Sequence, residues 1–242
     1  MRILAIDTTA KTASAALLED EHLKMLYTVN TTRTHSENML PMIEHMLGRE
    51  HMSVDEIDLF AVGAGPGSFT GVRIGVALIK GLAQGKGKPC IGVNTLQALA
   101  LNAEALLREG EIVCPVMDAR REQVYFGIWQ KQNGALVSLG QSGADGKDAV
   151  LARLAEYHAP VYLVGDGAYL FASDTLPSGL KTAPELLLWQ NGYSVGLCAL
   201  RQYRQNPDMG YDSGTLVPIY YRPSQAQRML EEKSKKRGEE IK

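Results

Sequence analysis

Three short turns hold the residue types best suited to chemistry. Asp7-Thr8-Thr9 ends an apolar strand-like run, so a carboxylate, two hydroxyls and backbone donors gather where a phosphate or a phosphate-bound metal can be held. Asp118-Ala119-Arg120 repeats that pattern in the second half of the chain, and Gly165-Asp166-Gly167 offers a third turn that can pass close to an adenosine. Polar residues also cap strands for structural reasons alone, so each turn by itself supports both readings. Their order along the chain is the stronger signal.

The most distinctive stretch runs from Gly63 to Gly71, GAGPGSFTG, a glycine-rich passage from a strand into a helix. A helix start of this kind binds anions through its free backbone donors. Here it lacks the Gly-Lys-Ser/Thr ending of a P-loop, and its spacing does not match G-x-G-x-x-G; a structural turn is the competing reading. Ser68 is not in a G-x-S-x-G elbow, which removes the usual hydrolase signature. The five histidines, His22, His35, His45, His51 and His158, include no i, i+4 pair and no H-E-x-x-H, so zinc chemistry has no sequence support.

These turns must be positioned by strands and helices. Alternation and apolar runs predict strands at 2–7, 12–18 and 23–29, a helix capped by Thr34-x-x-Glu37 and running to about 47, a strand at 59–63, a helix at 70–83, a strand at 90–93 and a helix at 96–107. Pro41 falls inside the first helix and is expected to kink it. A second, similar series follows: strands at 112–117, 124–129 and near 136, a helix at 147–157, a strand at 161–164 and a helix around 195–203. Two lobes of one architecture, 1–108 and 109–223, are the economical reading. A charged segment at 224–242 reads as a solvated tail.

The helix after the glycine loop is apolar almost all round and must be buried on several sides. Gly71 and Gly75 lie four apart on one face, which lets another helix come close, and Val72, Leu78 and Ile79 surround them. Met39, Ile43, Met46 and Leu47 form a matching stripe on the preceding helix. One reading is intramolecular core. The other, taken here as the expectation, is a partner interface built from Met39, Ile43, Met46, Leu47, Gly71, Val72, Gly75, Leu78 and Ile79.

Bulk composition narrows the function classes. A formal charge of −2 gives no global field to gather nucleic acid or an anionic membrane, and 7% aromatic content offers few stacking platforms for bases. Three widely spaced cysteines in apolar stretches suit buried thiols of a reducing cytoplasmic setting. No run reaches the ~18 apolar residues of a membrane span, so no membrane partner is expected.

MRILAIDTT, GAGPGSFTGVRIG and VNTLQALA, with MDARREQVYFGIW, VYLVGDGAYL and PIYYRP further on, resemble the TsaB (YeaZ) family over most of the chain. The resemblance implies an α/β fold of two actin-like lobes (sugar kinase/Hsp70 superfamily, ribonuclease H-like), with the first used for pairing. It implies a non-catalytic accessory subunit that pairs with TsaD. That enzyme threonylcarbamoylates adenosine next to the anticodon of tRNAs reading codons that begin with A. TsaE, a small ATPase, joins the pair, tRNA is met indirectly, and a homodimer through the same helices is a further expectation. No cofactor is expected on the isolated chain; ATP or ADP is left to the complex. TsaD proteins carry an H-x-x-x-H metal pair after a strand. Aligned by residues 91–93, those positions are Thr95 and Leu99, and neither supplies an imidazole nitrogen. No catalytic or metal-binding residue is therefore assigned. The rival reading, an ATP-dependent kinase or a metallopeptidase of the same superfamily, draws on the order of Asp7, Asp118 and Gly165.

Overall fold

The computed structural model describes residues 1–30, 33–171 and 178–222. The charged tail expected at 224–242 lies outside the described residues.

The first lobe is a five-stranded sheet. Strands β1 (Arg2–Asp7), β2 (Ala13–Glu19) and β3 (His22–Val29) form an antiparallel meander, and α1 (His35–Arg49) then returns the chain to β4 (Leu59–Gly65), parallel to β1. Helix α2 (Phe69–Gln84) leads to β5 (Cys90–Asn94), and α3 (Thr95–Asn102) leaves the lobe. The second lobe repeats the pattern with β6 (Ile112–Arg120), β7 (Gln123–Gln132), β8 (Ala135–Gly146), α4 (Lys147–Leu154), β9 (Val161–Val164) and β10 (Leu180–Thr182), followed by α5 (Glu185–Leu188) and α6 (Gly192–Gln205). The sheet orders are β3-β2-β1-β4-β5 and β8-β7-β6-β9-β10, so strands in equivalent places pair in the same way. This duplicated three-antiparallel, two-parallel sheet is the ribonuclease H-like half of an actin-like α/β fold.

Strand β1 shows why the first sheet sits in the middle of its lobe. Leu4 and Ile6 face one core with Met39, Ile43 and Met46 of α1 and Val72 and Ile79 of α2. Ile3 and Ala5 face the opposite core with Val195, Ala199 and Leu200 of α6. A period of two therefore feeds two cores, and a strand buried on both faces reads as a continuous apolar run. Helix α6 follows the second sheet in sequence but packs on the first, so a division at residue 108 separates the sheets without separating their covering helices.

Most expected elements are present, and the differences are local. Helix α1 carries through Pro41, whose missing donor falls on an exposed turn. Helix α3 ends at Asn102 rather than near 107, and turns bonded to the Ala103 carbonyl carry Leu107 back into the core. Apolar spacing alone could not separate those turns from another helical turn. The turn at Gly165 leads into a 3-10 helix, Asp166–Phe171. Strand β10 and helix α5 were not anticipated, because segments of three and four residues are too short to show a period.

The expected partner interface needs correction. Met39, Ile43, Met46 and Leu47 are buried against their own sheet, as are Gly71, Val72, Gly75 and Ile79, while Leu78 is half-buried against the same core. The close neighbour of Gly71 and Gly75 is also not a helix. A Cβ on Gly71 would run into the Thr8 carbonyl, and one on Gly75 would sit 2.5 Å from Thr8 Oγ1 and 3.0 Å from Val62 Cγ2. These residues fill the lobe's interior, so any surface offered by α1 and α2 consists of their opposite faces.

Gly75→Trp should accordingly destabilise the isolated chain by at least about 3 kcal/mol or prevent folding, since overpacking against a strand end has no room to relax. Leu40→Ala, on the exposed face of α1, should stay within about 0.5 kcal/mol. Denaturant titration of both variants checks this; a Gly75→Trp chain as stable as its parent would refute the close approach.

Candidate functional site

The turn ending β1 is folded onto itself. Asp7 Oδ1 accepts from the Thr9 amide at 2.8 Å and from the Thr9 hydroxyl at 2.7 Å, and Thr8 Oγ1 donates to the Gly71 carbonyl at 2.7 Å. Asp7, Thr8 and Thr9 are all buried. The glycine loop closes over them: the Ser68 amide donates to the Thr9 carbonyl at 2.7 Å, and a side chain at Gly67 would strike that carbonyl. Ser68 also caps α2, accepting from the Gly71 amide at 3.3 Å. These contacts give the glycine stretch its structural role, a backbone-to-backbone approach that a Cβ would block.

Burial pushes the Asp7 carboxyl from its ordinary 3.8 up to about 6, against the lowering effect of the Thr9 bonds, and nearby Asp166 pushes it the same way. Its Oδ2 has no partner among the described residues.

The second lobe supplies two further turns. Asp118 accepts from the Arg120 amide at 2.7 Å and from the Tyr169 hydroxyl at 2.9 Å. Arg120, Arg121 and Glu122 follow with φ of 68°, 56° and 57°, three consecutive left-handed residues at the β6–β7 corner. Asp166 accepts from Gln190 Nε2 at 3.1 Å, and its carboxyl is also raised, chiefly by burial.

All three turns meet at one cleft of about 350 Å³ between the lobes, lined by Thr9, Lys11, the 66–70 loop, Asp118, Arg120 and Asp166. The order read in the sequence therefore corresponds to a real convergence. Asp7 is the exception, since it lies behind Thr9 and does not line the cleft. Another part of the wall was not read from local pattern: Ile219, Tyr220, Tyr221 and Arg222 also line the cleft, and only the likeness of PIYYRP to a family pattern had marked that stretch. The partner-interface residues are not part of this site.

Among the described residues no group of three or more His, Cys, Asp or Glu side chains is placed to hold a metal ion. His35 Nε2 lies 2.8 Å from the Ala10 carbonyl and His45 Nδ1 lies 2.9 Å from the Tyr27 hydroxyl, while His22, His51 and His158 are exposed. Thr95 and Leu99 are packed inside, at 0% and 1% exposure. The three cysteines are free thiols and buried. No helix of the described residues is long and apolar enough to cross a membrane.

A family model described as TsaD: tRNA N6-adenosine threonylcarbamoyltransferase matches residues 29–192. The tRNA threonylcarbamoyladenosine biosynthesis protein TsaB of Buchnera aphidicola subsp. Baizongia pistaciae is 31% identical over 230 residues, covering 90% of this chain and 96% of that protein. The chain belongs to the TsaB (YeaZ) family. The TsaB protein of Haemophilus influenzae is 40% identical over 129 residues, 52% of each chain, so this chain spans about half the length of that relative in the match. Among solved structures, an uncharacterized Pseudomonas aeruginosa protein described as similar to peptidase YeaZ superposes with a TM-score of 0.76 at 27% identity, covering 91% of this TsaB-family chain and 99% of that one.

The raised Asp7 carboxyl sets a pH dependence. The folded chain holds the Asp7 proton up to about pH 6 while the unfolded chain releases it near 3.8, so this contribution to stability is complete below the lower value and is lost as pH rises through the upper one. At about 1.4 kcal/mol per pH unit, the loss is about 3 kcal/mol. Asp7→Asn has no such proton, and its unfolding free energy should lack that component when compared with the parent between pH 4 and 7; identical pH slopes would contradict the assignment.

Proposed function

We propose that this chain is a non-catalytic accessory subunit in the biosynthesis of threonylcarbamoyladenosine in tRNA. Its partner is a TsaD-like enzyme acting on adenosine next to the anticodon of tRNAs that read codons beginning with A, and a TsaE-like ATPase completes the assembly. The observation that carries this reading is the packing at Thr95 and Leu99. At the place where the TsaD pattern has its metal-binding histidines, this chain has two side chains sealed into its own core, and neither could hold a transition metal. The Asp7 turn agrees. Its carboxyl is buried behind Thr9, bonded through one oxygen to its own turn, and does not line the cleft where a phosphate-bound metal would sit.

Pairing is assigned to the outward faces of α1 and α2. Thr70, Ile74, Ala77 and Gly81 follow one another at helical spacing on the side of α2 away from the sheet, half-buried or exposed, and Leu40 on α1 is 43% exposed. Short side chains on one helix let a partner helix come near, and the neighbouring Leu40 adds apolar area to such a contact. The same faces could pair two copies of this chain when the enzyme is absent. With a net charge of −2, contact with tRNA belongs mainly to the partner.

The test is a reconstituted modification reaction with the TsaD-like enzyme, the TsaE-like ATPase, the adenylate-forming enzyme, ATP, threonine and bicarbonate. Modified adenosine should appear only when this chain is added. Ala77→Arg should remove at least nine-tenths of the product while leaving the circular dichroism of the isolated chain unchanged. Equal product without the chain would end this reading, and phosphate release from Mg-ATP by the chain alone would turn it toward an ATP-dependent enzyme.

A further inference from the structure

The last described segment, residues 216–222, joins the two lobes along the cleft, which Ile219 to Arg222 line. On the first lobe, Leu216 and Ile219 enter the core, and the Ile219 amide donates to the Ala64 carbonyl of β4 at 2.7 Å. Tyr220 stacks on Phe69 with ring centres 5.0 Å apart, and its hydroxyl accepts from Arg73 Nε at 2.9 Å. The next two residues reach the second lobe. The Tyr221 hydroxyl accepts from Asn94 Nδ2 at the end of β5 at 2.9 Å and donates to Ser142 Oγ of β8 at 3.5 Å. Its ring meets Tyr125 of β7 edge-on, at 6.3 Å and 84°. Arg222 Nη1 donates to the Ala119 carbonyl at 3.4 Å.

Below Tyr221, which packs on the same cluster, the lobes are also joined by apolar side chains. Leu96 and Leu99 of α3 pack on Val113 and Met117 of the second sheet. Apolar packing is not directional, so a greasy contact on one side leaves rotation about that side open. Two-lobed proteins that close around a ligand use such freedom, with the ligand bridging the lobes opposite the hinge. In this chain Tyr221 and Arg222 line the cleft and themselves supply bonds between the lobes.

We infer that residues 216–222 are a built-in clasp that holds the lobes at one angle and itself supplies the bonds between them that a bridging ligand would supply. The clasp makes the lobe angle a property of the folded chain. Anchoring is strong on the first lobe, through two core side chains and a backbone bond, and is finished on the second by an aromatic edge and hydrogen bonds from adjacent residues. This inference is independent of the pathway proposed above, because it concerns the isolated chain.

Spin labels on the full chain test it. The natural cysteines are buried, so Arg49→Cys and Gln132→Cys, both exposed and one in each lobe, can be labelled selectively. The parent should give one narrow interlobe distance, unmoved by millimolar Mg-ADP. Adding Tyr221→Ala and Arg222→Ala should shift it to longer values and broaden it, with unchanged circular dichroism. A distribution in that variant as narrow as the parent's overturns the clasp, and so does a parent whose distance shifts with Mg-ADP. Should the double variant fail to fold, Tyr221→Phe decides. It keeps the ring and deletes only the hydroxyl bridge; measurable broadening supports the clasp and a superimposable distribution overturns it.

Discussion

Thr8 hangs its hydroxyl on the Gly71 carbonyl, the Thr9 carbonyl receives the Ser68 amide, and the cleft-facing side of the first lobe is built on that seam between β1 and α2. Two backbones can meet this closely only where one carries no side chain, which explains glycine at 67 and 71, while a Cβ at 75 would run into the Thr8 and Val62 side chains. Once the seam is made, the start of α2 has its position, Ser68 caps it, and the loop between becomes the near wall of the cleft. The same seam buries Asp7. A carboxyl moved out of water favours its neutral form, and among the described residues it is compensated by two hydrogen bonds given by Thr9 to a single oxygen. A turn that would face phosphates in an open arrangement is here a closed structural joint.

How far this was legible in sequence differs by element. Apart from the three-residue β10, the strands of both lobes could be read because each is bounded by turn residues and alternates or runs apolar, as β1 does. The repeat of strand, strand, strand, helix, strand was visible for the same reason. The convergence of the three turns was legible as an order, since equivalent strand ends in a duplicated sheet come to equivalent places. The inward direction of Met39, Ile43 and Met46 was not. A stripe at helical spacing says that one face is apolar, and only the sheet beneath α1 decides what covers it. Likewise the pair Gly71 and Gly75 announces a close approach without naming the neighbour, which proved to be a turn.

The clasp was the least legible part. Residues 216–222 form no regular element, and the contacts that fix them include Ser142, Arg73 and Ala64, which lie 79, 147 and 155 positions earlier in the chain. Local pattern carries no information about pairings of that separation. Tyr220 and Tyr221 look in sequence like ordinary amphipathic side chains; their opposite roles, one stacked on its own lobe and one reaching across, follow from where the preceding backbone bond to Ala64 fixes the chain.

The two lobes repeat one sheet but exchange their covers. Helix α3, which follows the first sheet, gives Leu96, Leu99 and Ala100 to the core beside the second, and α6, which follows the second, closes the back of the first over Ile3, Ala5 and Leu59. Between them Asn102 of α3 binds the carbonyls of Leu187 and Trp189 and accepts from Ser194 and Asn191 near the start of α6. Each lobe therefore finishes its core with an element from the other's stretch of chain. A first lobe cut free would expose the apolar back of its own sheet, and unsatisfied amide and carbonyl groups near Asn102 would be left behind. Lobes made interdependent in this way cannot come apart, while the Tyr221 and Arg222 contacts set the angle between them. Such a body is poorly suited to opening and closing around a substrate and well suited to presenting one unchanging surface to a partner, because a preorganised surface binds without first losing conformational freedom.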